Sequence, residues 1–317
     1  MGAYTVRRVL QMIPMTFGIT IILFAIIQAA PGGPEGSLLE TGRFIDPEVI
    51  ESYRRRLGVD QPLHIQYVRW LAAAVTGDLG ISFSTTRPVS EMIMERLPAT
   101  LELMGASFLF AAVIALVLGT VSAVKQYSAV DHLGTGLSFL GIAMPVFWFA
   151  LILQLVFSVR LGWLPVSGTH TVGDTSLGDH LKHLILPGLV LSLRYIAGWS
   201  RYLRSSLLGV LRTDYVRTAR AMGIPERAVV GVHALRNALI PVVSVMALNL
   251  AALFSGAVIT ETVFAWPGIG RMFVQAMFAR DYPLLMGILL LGSVMVIVFN
   301  LVADLLYGAL DPRIRYD

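Results

Sequence analysis

Apolar residues occur along the chain in long unbroken stretches. A bilayer core of about 30 Å needs roughly 20 helical residues. Five stretches without any charged residue are that long, at residues 9–34, 103–124, 133–159, 238–260 and 282–303. A sixth, residues 184–208, is apolar but interrupted by Arg194, Arg201 and Arg204. The pattern predicts an all-α membrane protein with six transmembrane helices.

Basic residues near the predicted spans set the expected orientation. Arg7 and Arg8 precede the first span, seven arginines lie between residues 201 and 236, and Arg313 and Arg315 lie in the tail. With six spans these three regions fall on one side, which is cytoplasmic because short cytoplasmic loops carry an excess of Lys and Arg. Both termini are therefore expected inside. The first apolar run is longer than the 7–15 residues of a signal peptide, so we expect it to be retained.

The spans divide the chain into three parts. Residues 1–30 form the first transmembrane helix, residues 31–96 a large extracytoplasmic segment, and residues 97–317 a five-helix core. Within the outer segment, Asp46-Pro47 and Gly58 are typical of a helix start and stop. A second, amphipathic helix is predicted at residues 62–75, with one apolar face made of Leu63, Tyr67, Trp70 and Leu71.

The composition agrees with a membrane protein. Hydrophobic residues make up 56% of the 317 positions and charged residues 14%, against about 25% charged in soluble domains. Mean hydropathy is +0.73. A soluble enzyme, a disordered chain and a nucleic-acid module are therefore disfavoured, and the net charge of +4 is attributed to orientation. The chain has no Cys, which excludes disulfides and thiolate chemistry.

Chemistry of its own is hard to find in this sequence. All six histidines lie outside the apolar cores; His180 and His183 have a spacing that metal ligands use, but no third ligand is evident, and no metal site is predicted. No phosphate-binding GxxxxGK[ST] loop is present. Acids lie at span ends, which disfavours an ion-coupled carrier; these are Glu102, Glu261, Asp281 and Asp304. No catalytic set appears, which disfavours a membrane enzyme.

Residues 213–237, called here the basic loop, are predicted to hold two short helices. Thr213 or Asp214 caps the first, Gly223 ends it in a left-handed conformation, and Pro225 and Glu226 start the second. The expected apolar faces consist of Val216, Ala219 and Met222 in the first helix and Ala228, Val229, Val232 and Leu235 in the second. Exposed apolar residues in a basic surround indicate a protein interface. The alternative is a loop that caps the bundle without a partner.

The basic loop resembles the EAA coupling loop of ABC importer permeases, in its peptide-permease form. Of the general pattern, only Ala219, Gly223 and Leu235 match, and Arg236 replaces the proline. The peptide-permease variant YVRTARAxG followed by HALRNALIP matches nearly throughout. Further segments resemble the B-type subunit of dipeptide and oligopeptide permeases, including RRVLQMIPMTFGITIILFAI, LGVDQPLHIQYVRWL, GDLGISFSTTRPV, ERLPATLEL, ETVFAWPGIG and DPRIRY. One departure is PGGP at residues 31–34, where members commonly have PGDP.

The resemblance implies a type I ABC importer permease fold and a subunit that forms half of a translocation pathway for di- and oligopeptides. It implies a second homologous permease, two ATPase subunits that carry ATP and Mg²⁺, and an extracytoplasmic solute-binding protein, in a bacterial or archaeal cytoplasmic membrane. This chain would bind no cofactor and no nucleic acid. Nickel, glutathione or another small solute remains an alternative substrate, because such permeases share these motifs.

The resemblance also assigns candidate residues for coupling to the ATPases. Ala219 and Gly223 are expected to pack closely in an ATPase groove. Five polar residues are expected either to contact the ATPase or to be solvated. The full candidate set is Asp214, Arg217, Ala219, Arg220, Gly223, Glu226, His233, Leu235 and Arg236.

Three further residues are candidates for the translocation pathway: Arg194, Glu261 and Trp266. An Arg in the middle of a span costs about 2.5–3.5 kcal/mol on insertion scales. Arg194 is therefore expected either to line the conduit and attract a peptide carboxylate, or to snorkel or pair helices. Glu261 and Trp266 belong to a predicted outer loop or re-entrant segment, residues 261–270, for which gating and an interfacial Trp anchor are both open.

Overall fold

The computed structural model describes residues 2–29 and 61–310, and over these ranges the regular secondary structure is helical, with turns and loops between the helices and one isolated bridge between Ile81 and Pro88. Two segments, Gln154–Arg160 and Val229–Ala234, form π-helical turns. The helices are α1 (Gly2–Gln28), α2 (Leu63–Val75), α3 (Val89–Val124), α4 (Ala129–Ala143), α5 (Val146–Leu153), α6 (Leu177–Leu211), α7 (Asp214–Ala221), α8 (Glu226–Ala228), α9 (Leu235–Val263), α10 (Ile269–Phe278) and α11 (Tyr282–Leu310).

Five helical segments are long and apolar enough to cross a bilayer. They are Val6–Ile26, Val89–Val124, Leu177–Leu211, Glu226–Leu250 and Tyr282–Leu305. The pair α4 and α5 passes the same test together, and counting it as one span gives six. The chain therefore has the all-α membrane fold that its apolar stretches predict.

The third predicted span is broken at Met144-Pro145. Proline lacks an N–H and disfavours helical geometry in the residue before it, and Met144 accordingly adopts an extended conformation with ψ of 127°. The halves α4 and α5 meet at a bend of 111°. A proline inside an apolar span is compatible with a kinked but continuous helix; the structure instead has a complete interruption of the helix.

The helices α3 and α6 form the centre of the bundle, and each is longer than its predicted span. At their crossing Gly119 is essential to the close approach, because an added Cβ would lie 2.8 Å from the backbone oxygen of Ser200. The prediction for α3 began at residue 103 because Glu102 was taken as a span end. The helix instead begins at Val89 and contains the predicted boundary at residue 96. Arg201 and Arg204, which interrupt the predicted span at residues 184–208, lie within α6.

Two ends of the bundle can be distinguished. The loop end comprises the turn 125–128 and the basic loop; the outer end comprises residues 61–100, 161–180 and 261–284. Arg8 of α1 forms an ion pair of 3.3 Å with Asp304 near the end of α11. This contact brings the start of α1 and the end of α11 to the same end of the bundle, as the six-span arrangement requires.

The amphipathic helix predicted at residues 62–75 is confirmed as α2. Tyr67 shares a hydrogen bond of 2.8 Å with Thr20 of α1 and packs edge-on against Phe17 and Phe24. Leu63, expected on the same face, is exposed. The helix predicted between Asp46 and Gly58, the PGGP segment and the basic tail lie outside the described residues.

Candidate functional site

The basic loop folds into one short helix, α7, and the first turns of the long helical run that begins at Glu226 and continues into α9, joined by a tight turn. Gly223 has φ of +76°, the left-handed conformation that its position predicts. Its N–H donates to the carbonyl of Arg220, and the N–H of Ile224 donates to the carbonyl of Ala219. This pair of bonds is a Schellman motif, which satisfies the last carbonyls of α7. The angle between α7 and α8 is therefore fixed by backbone hydrogen bonds.

The apolar residues of α7 pack into the chain itself. Val216 and Ala219 are buried and belong to the main hydrophobic core, together with residues of α3, α6 and α9. Met222, predicted on the same face, is 69% exposed. Six positions along a helix amount to 600°, so Met222 lies about 120° away from Val216. The expectation that this whole face is exposed was wrong for Val216 and Ala219.

The second helix of the loop departs from the predicted period. Its buried residues are Val229, Ala234 and Ala238, and Val232 is 64% exposed. The cause is the π-helical turn Val229–Ala234, in which i→i+5 bonding adds one residue to the turn. The next buried residue after Val229 is therefore Ala234, five positions further on, and Val232 faces outward. The backbone stays helical, so the turn after Pro225 continues directly into α9.

Charged residues of the basic loop project into solvent. The side chains of Asp214 and Arg217 are 97% and 71% exposed. Arg220 and Glu226 form an ion pair across the turn, with nitrogen–oxygen distances of 3.0 and 2.7 Å. This pair raises the pKa of Arg220, chiefly through the hydrogen bond to Glu226. Arg236 is also exposed, whereas His233 and Leu235 are half-buried.

Gly223 itself has open space around it. No atom lies within 4 Å of the position that a Cβ would occupy. Within this chain, glycine is therefore required by its left-handed φ and not by close packing. Ala219, in contrast, is enclosed by the chain's own core.

Glu261 is fully buried at the outer end. Its carboxylate accepts hydrogen bonds from the Thr100 hydroxyl at 2.7 Å and from the N–H of Arg271 at 3.0 Å. Gly268 and Gly270 make room for it: an added Cβ on Gly268 would lie 2.3 Å from the carboxylate, and one on Gly270 2.5 Å from the Cα of Val258. We call this group the Glu261 cradle. It places a negative charge at the N-terminus of α10, where the helix dipole favours it.

Trp266 is also fully buried, which excludes an interfacial anchor. Its Nε1 donates to the carbonyl of Ala99 at 2.8 Å, and its ring lies 5.8 Å from that of His180. His180 in turn bonds Glu102 of α3 at 2.5 Å. The segment 261–270 is therefore clamped onto the outer part of α3.

The two histidines with metal-like spacing point to different partners. His180 contacts Glu102 through Nε2, whereas Nδ1 of His183 lies within 3.4 Å of Asp179. Among the described residues, no group of three His, Cys, Asp or Glu side chains converges as metal ligands would.

Sequence reasoning missed a second buried carboxylate at the outer end. Asp281 is fully buried and accepts from the hydroxyls of Ser82 and Ser84 at 2.5 and 2.7 Å, and from the N–H groups of Phe83 and Ser84 at 3.1 Å. Burial raises the pKa of Asp281, but these hydrogen bonds outweigh it and leave the pKa below its usual value. This Asp281 clasp ties the outer segment to the start of α11.

A partly buried ion pair at the loop end was also missed. Arg204 of α6 binds Asp131 of α4 through two hydrogen bonds of 2.7 Å, and Asp131 also accepts from the N–H of Tyr127. The pair holds the start of the broken span against α6. A bidentate Arg–carboxylate pair of this kind is geometrically specific.

Arg194 is the central residue of α6 and faces a cavity of about 570 Å³. The cavity lies beside the break between α4 and α5, and Tyr195 and Asn249 also line it. No hydrogen bond or ion pair joins Arg194 to any other described residue, so within the described part of the chain it does not pair helices. Of the three predicted pathway residues, Arg194 faces open space, whereas Glu261 and Trp266 are enclosed.

Two family models cover almost the whole chain. The model described as binding-protein-dependent transport system inner membrane component matches residues 115–316, and the model of the N-terminal part of such components matches residues 1–104. The chain belongs to this family. It is accordingly a multi-pass protein of the bacterial inner membrane, and the boundary between the two models falls inside α3.

Full-length relatives of this inner membrane component carry peptide-transport names. The oligopeptide transport system permease protein AppB of Bacillus subtilis is 44% identical, with 100% of both chains covered. The di/tripeptide transport system permease protein DppB of Pseudomonas aeruginosa is 42% identical over 100% of this chain and 99% of its own.

A solved structure supports the fold. The MetNI methionine ABC transporter in an inward-facing conformation aligns with a TM-score of 0.54 and 19% identity, covering 69% of this chain and 96% of its own. At this identity the likeness concerns the fold alone, which is that of an ABC importer permease.

Proposed function

We propose that this chain is one permease subunit of an ATP-driven importer of di- and oligopeptides and forms half of its translocation pathway. The observation that carries the proposal is the full-length similarity to permeases named for oligopeptide and di/tripeptide transport. Nickel or glutathione as the solute is less favoured, because the similarity to peptide permeases extends over the entire chain.

The basic loop would couple this chain to ATPase subunits. Its turn is fixed by the Schellman bonds, its apolar side chains are anchored in the core, and its charges stay in solvent. It directly joins the end of α6 to the start of α9. A force on the exposed face of such an element would move both helices together, whereas a flexible loop would absorb it.

The remaining subunits of the proposed transporter follow from this coupling role. A second permease would complete the pathway, two ATPases would bind ATP and Mg²⁺, and an extracytoplasmic binding protein would deliver the solute. This chain would carry no catalytic site and no cofactor. The loop end would face the cytoplasm with the start of α1 and the end of α11, because the basic loop is short and carries Arg217, Arg220, Arg227 and Arg236, and short cytoplasmic loops carry an excess of Lys and Arg.

Reconstitution of the complex in proteoliposomes tests the proposal. The chain is co-expressed with the second permease, the ATPases and the binding protein of the proposed importer, and uptake of a radiolabelled dipeptide is measured. Uptake is expected to need ATP on the side of the vesicle membrane that carries the ATPase subunits. It should persist when an ionophore removes the proton gradient. Uptake that survives omission of the ATPases, or that collapses with the ionophore, would identify an ion-coupled carrier instead.

A further inference from the structure

The cavity beside Arg194 is bounded by three separate elements. Met144 and Val146 contribute from the break between α4 and α5, Arg194 and Tyr195 from the middle of α6, and Asn249 from α9. Its volume of about 570 Å³ is within the range of ligand sites in proteins. Because α6 and α9 both lead into the basic loop, the walls of this cavity belong to the helices that the loop would move.

The charge inside this cavity is unbalanced. Among the described residues that line the cavity, Arg194 is charged and none is an Asp or Glu. No described residue bonds the guanidinium, although Arg204, two to three turns further along the same helix, is neutralised by Asp131. A guanidinium always carries its charge in a protein. At the centre of a span its charge must be met by water in the cavity or by an anion that enters it.

The geometry favours a carboxylate as that anion. A guanidinium binds a carboxylate through two parallel hydrogen bonds, and Asn249 of α9 offers a further amide in the cavity lining. The N–H groups in the first turn of α5 lack acceptors within the helix and add positive potential at the same wall. The remaining lining residues are mostly apolar, as for a site that also accepts side chains of varied size.

We propose that this cavity is a subsite for a carboxylate of the transported solute, bound by Arg194 in the middle of the membrane. This inference rests on the proposed function and adds the residue that meets the solute after its release from the binding protein. The same chemistry would suit the phosphate of an anionic lipid, so the experiment must separate a solute from a lipid.

Because the chain has no cysteine, Arg194→Cys introduces one thiol whose charge can be set chemically. The variant complex is reconstituted with its partners and treated with an aminoethyl thiosulfonate, which restores a cation, or with a sulfonatoethyl thiosulfonate, which adds an anion. The parent complex treated with both reagents corrects for partner thiols. Arg201→Cys is the matched control: it is seven residues on in the same helix, where Arg201 stacks on the Phe139 ring.

ATP-driven dipeptide uptake by Arg194→Cys is expected to fall about tenfold, to recover with the cationic reagent and to fall further with the anionic one. A charge-assisted hydrogen bond commonly contributes a factor of this size. Uptake by Arg201→Cys should respond equally to both reagents. Excess dipeptide, with the binding protein and ATP present, should slow labelling of Arg194→Cys but not of Arg201→Cys.

Two results would overturn the subsite. One is uptake by Arg194→Cys that does not depend on the sign of the attached charge. The other is labelling that is slowed by anionic lipid in the vesicle and not by dipeptide, which would assign the guanidinium to a lipid phosphate. If the parent complex imports no peptide at all, the proposed function is wrong. That result is separate from a failure of the subsite, because it is measured on the parent complex before any residue is substituted.

Discussion

The outer end and the basic loop treat their charges in opposite ways, although the loop end also holds the buried carboxylate of Asp131 beside Arg204. At the outer end, Glu261 and Asp281 are fully buried and surrounded by hydroxyl and N–H donors. At the loop end, Asp214 and Arg217 lie in solvent, and the apolar side chains of α7 are buried beneath them. Buried, satisfied carboxylates fix tertiary contacts, whereas exposed charges on a stiff support are available to a partner. The outer end is therefore built to hold its shape, and the loop end to present a surface.

The largest expected effect comes from emptying the Glu261 cradle. Glu261→Ala leaves the Thr100 hydroxyl and the N–H of Arg271 without their acceptor in a buried site, and unsatisfied groups of this kind cost about 1–3 kcal/mol each. We expect the purified chain to lose about 3 kcal/mol or more of stability, measured as the thermal midpoint of unfolding in detergent. Asp214→Ala, at an exposed acid, should change the midpoint very little. Equal effects of the two variants would remove the contrast between the ends.

The close approach of Gly268 to Glu261 gives the second prediction. In Gly268→Ala the new Cβ would lie 2.3 Å from the carboxylate, so the cradle must shift, at a cost of about 1–3 kcal/mol. Gly209→Ala is the control, because a Cβ there meets no atom within 4 Å and alanine favours the helix. A Gly268→Ala chain as stable as the parent would show that the cradle adapts freely.

Asp281 should make the outer end sensitive to acid. Its pKa is below the usual value of about 3.9, so the stability it contributes is present above about pH 4 and is lost as pH falls further, through its folded-state pKa. Asp281→Asn is expected to cost about 2 kcal/mol near neutral pH. The gap between the parent and variant unfolding midpoints should narrow below about pH 4. A gap that stays constant down to pH 3 would contradict the assignment.

The smallest effect is expected at the exposed pair of the basic loop. Arg220→Glu places two acids across the Schellman turn and should loosen it by up to about 1 kcal/mol, and the double variant Arg220→Glu/Glu226→Arg should restore it. Hydrogen exchange of residues 213–228 measures this directly. Arg227→Glu serves as the control for a change of charge alone. Failure of the double variant to recover would mean that the pair does not stabilise the turn.

Local features of the chain were predictable, and distant pairings were not. The turn at Gly223 and the helix α2 follow from the residues at those positions, because backbone preferences act locally. At Pro145 the sequence indicates a kink but not the complete interruption that the structure has. The burial of Glu261 and Asp281 could not be inferred, since their donors lie 161 and 199 positions away, and acids near span ends are normally taken as surface residues.

The period of the basic loop failed for a different reason. A regular helical period does not predict a π-helical turn. In this turn the residue buried after Val229 is Ala234, five positions on, whereas the regular period predicted Val232. The predicted start of α3, at residue 103 after Glu102, was too late. The helix begins at Val89, because its first turns, which contain Glu91, Glu95 and Arg96, extend beyond the apolar part of the span. Charge marks where a span leaves the apolar core but not where its helix ends.

The central claim is that the basic loop is the stiff element through which ATPases act on α6 and α9. Gly223→Val tests it most directly, because a β-branched residue strongly disfavours a φ of +76°, while the open space around the position avoids a clash within the chain. Gly223→Asn is the control, since asparagine tolerates this conformation. We expect Gly223→Val to lose co-purifying ATPase subunits and ATP-driven dipeptide uptake, and Gly223→Asn to keep most of both. A Gly223→Val complex that retains its ATPases and imports dipeptide at the parent rate would contradict the account.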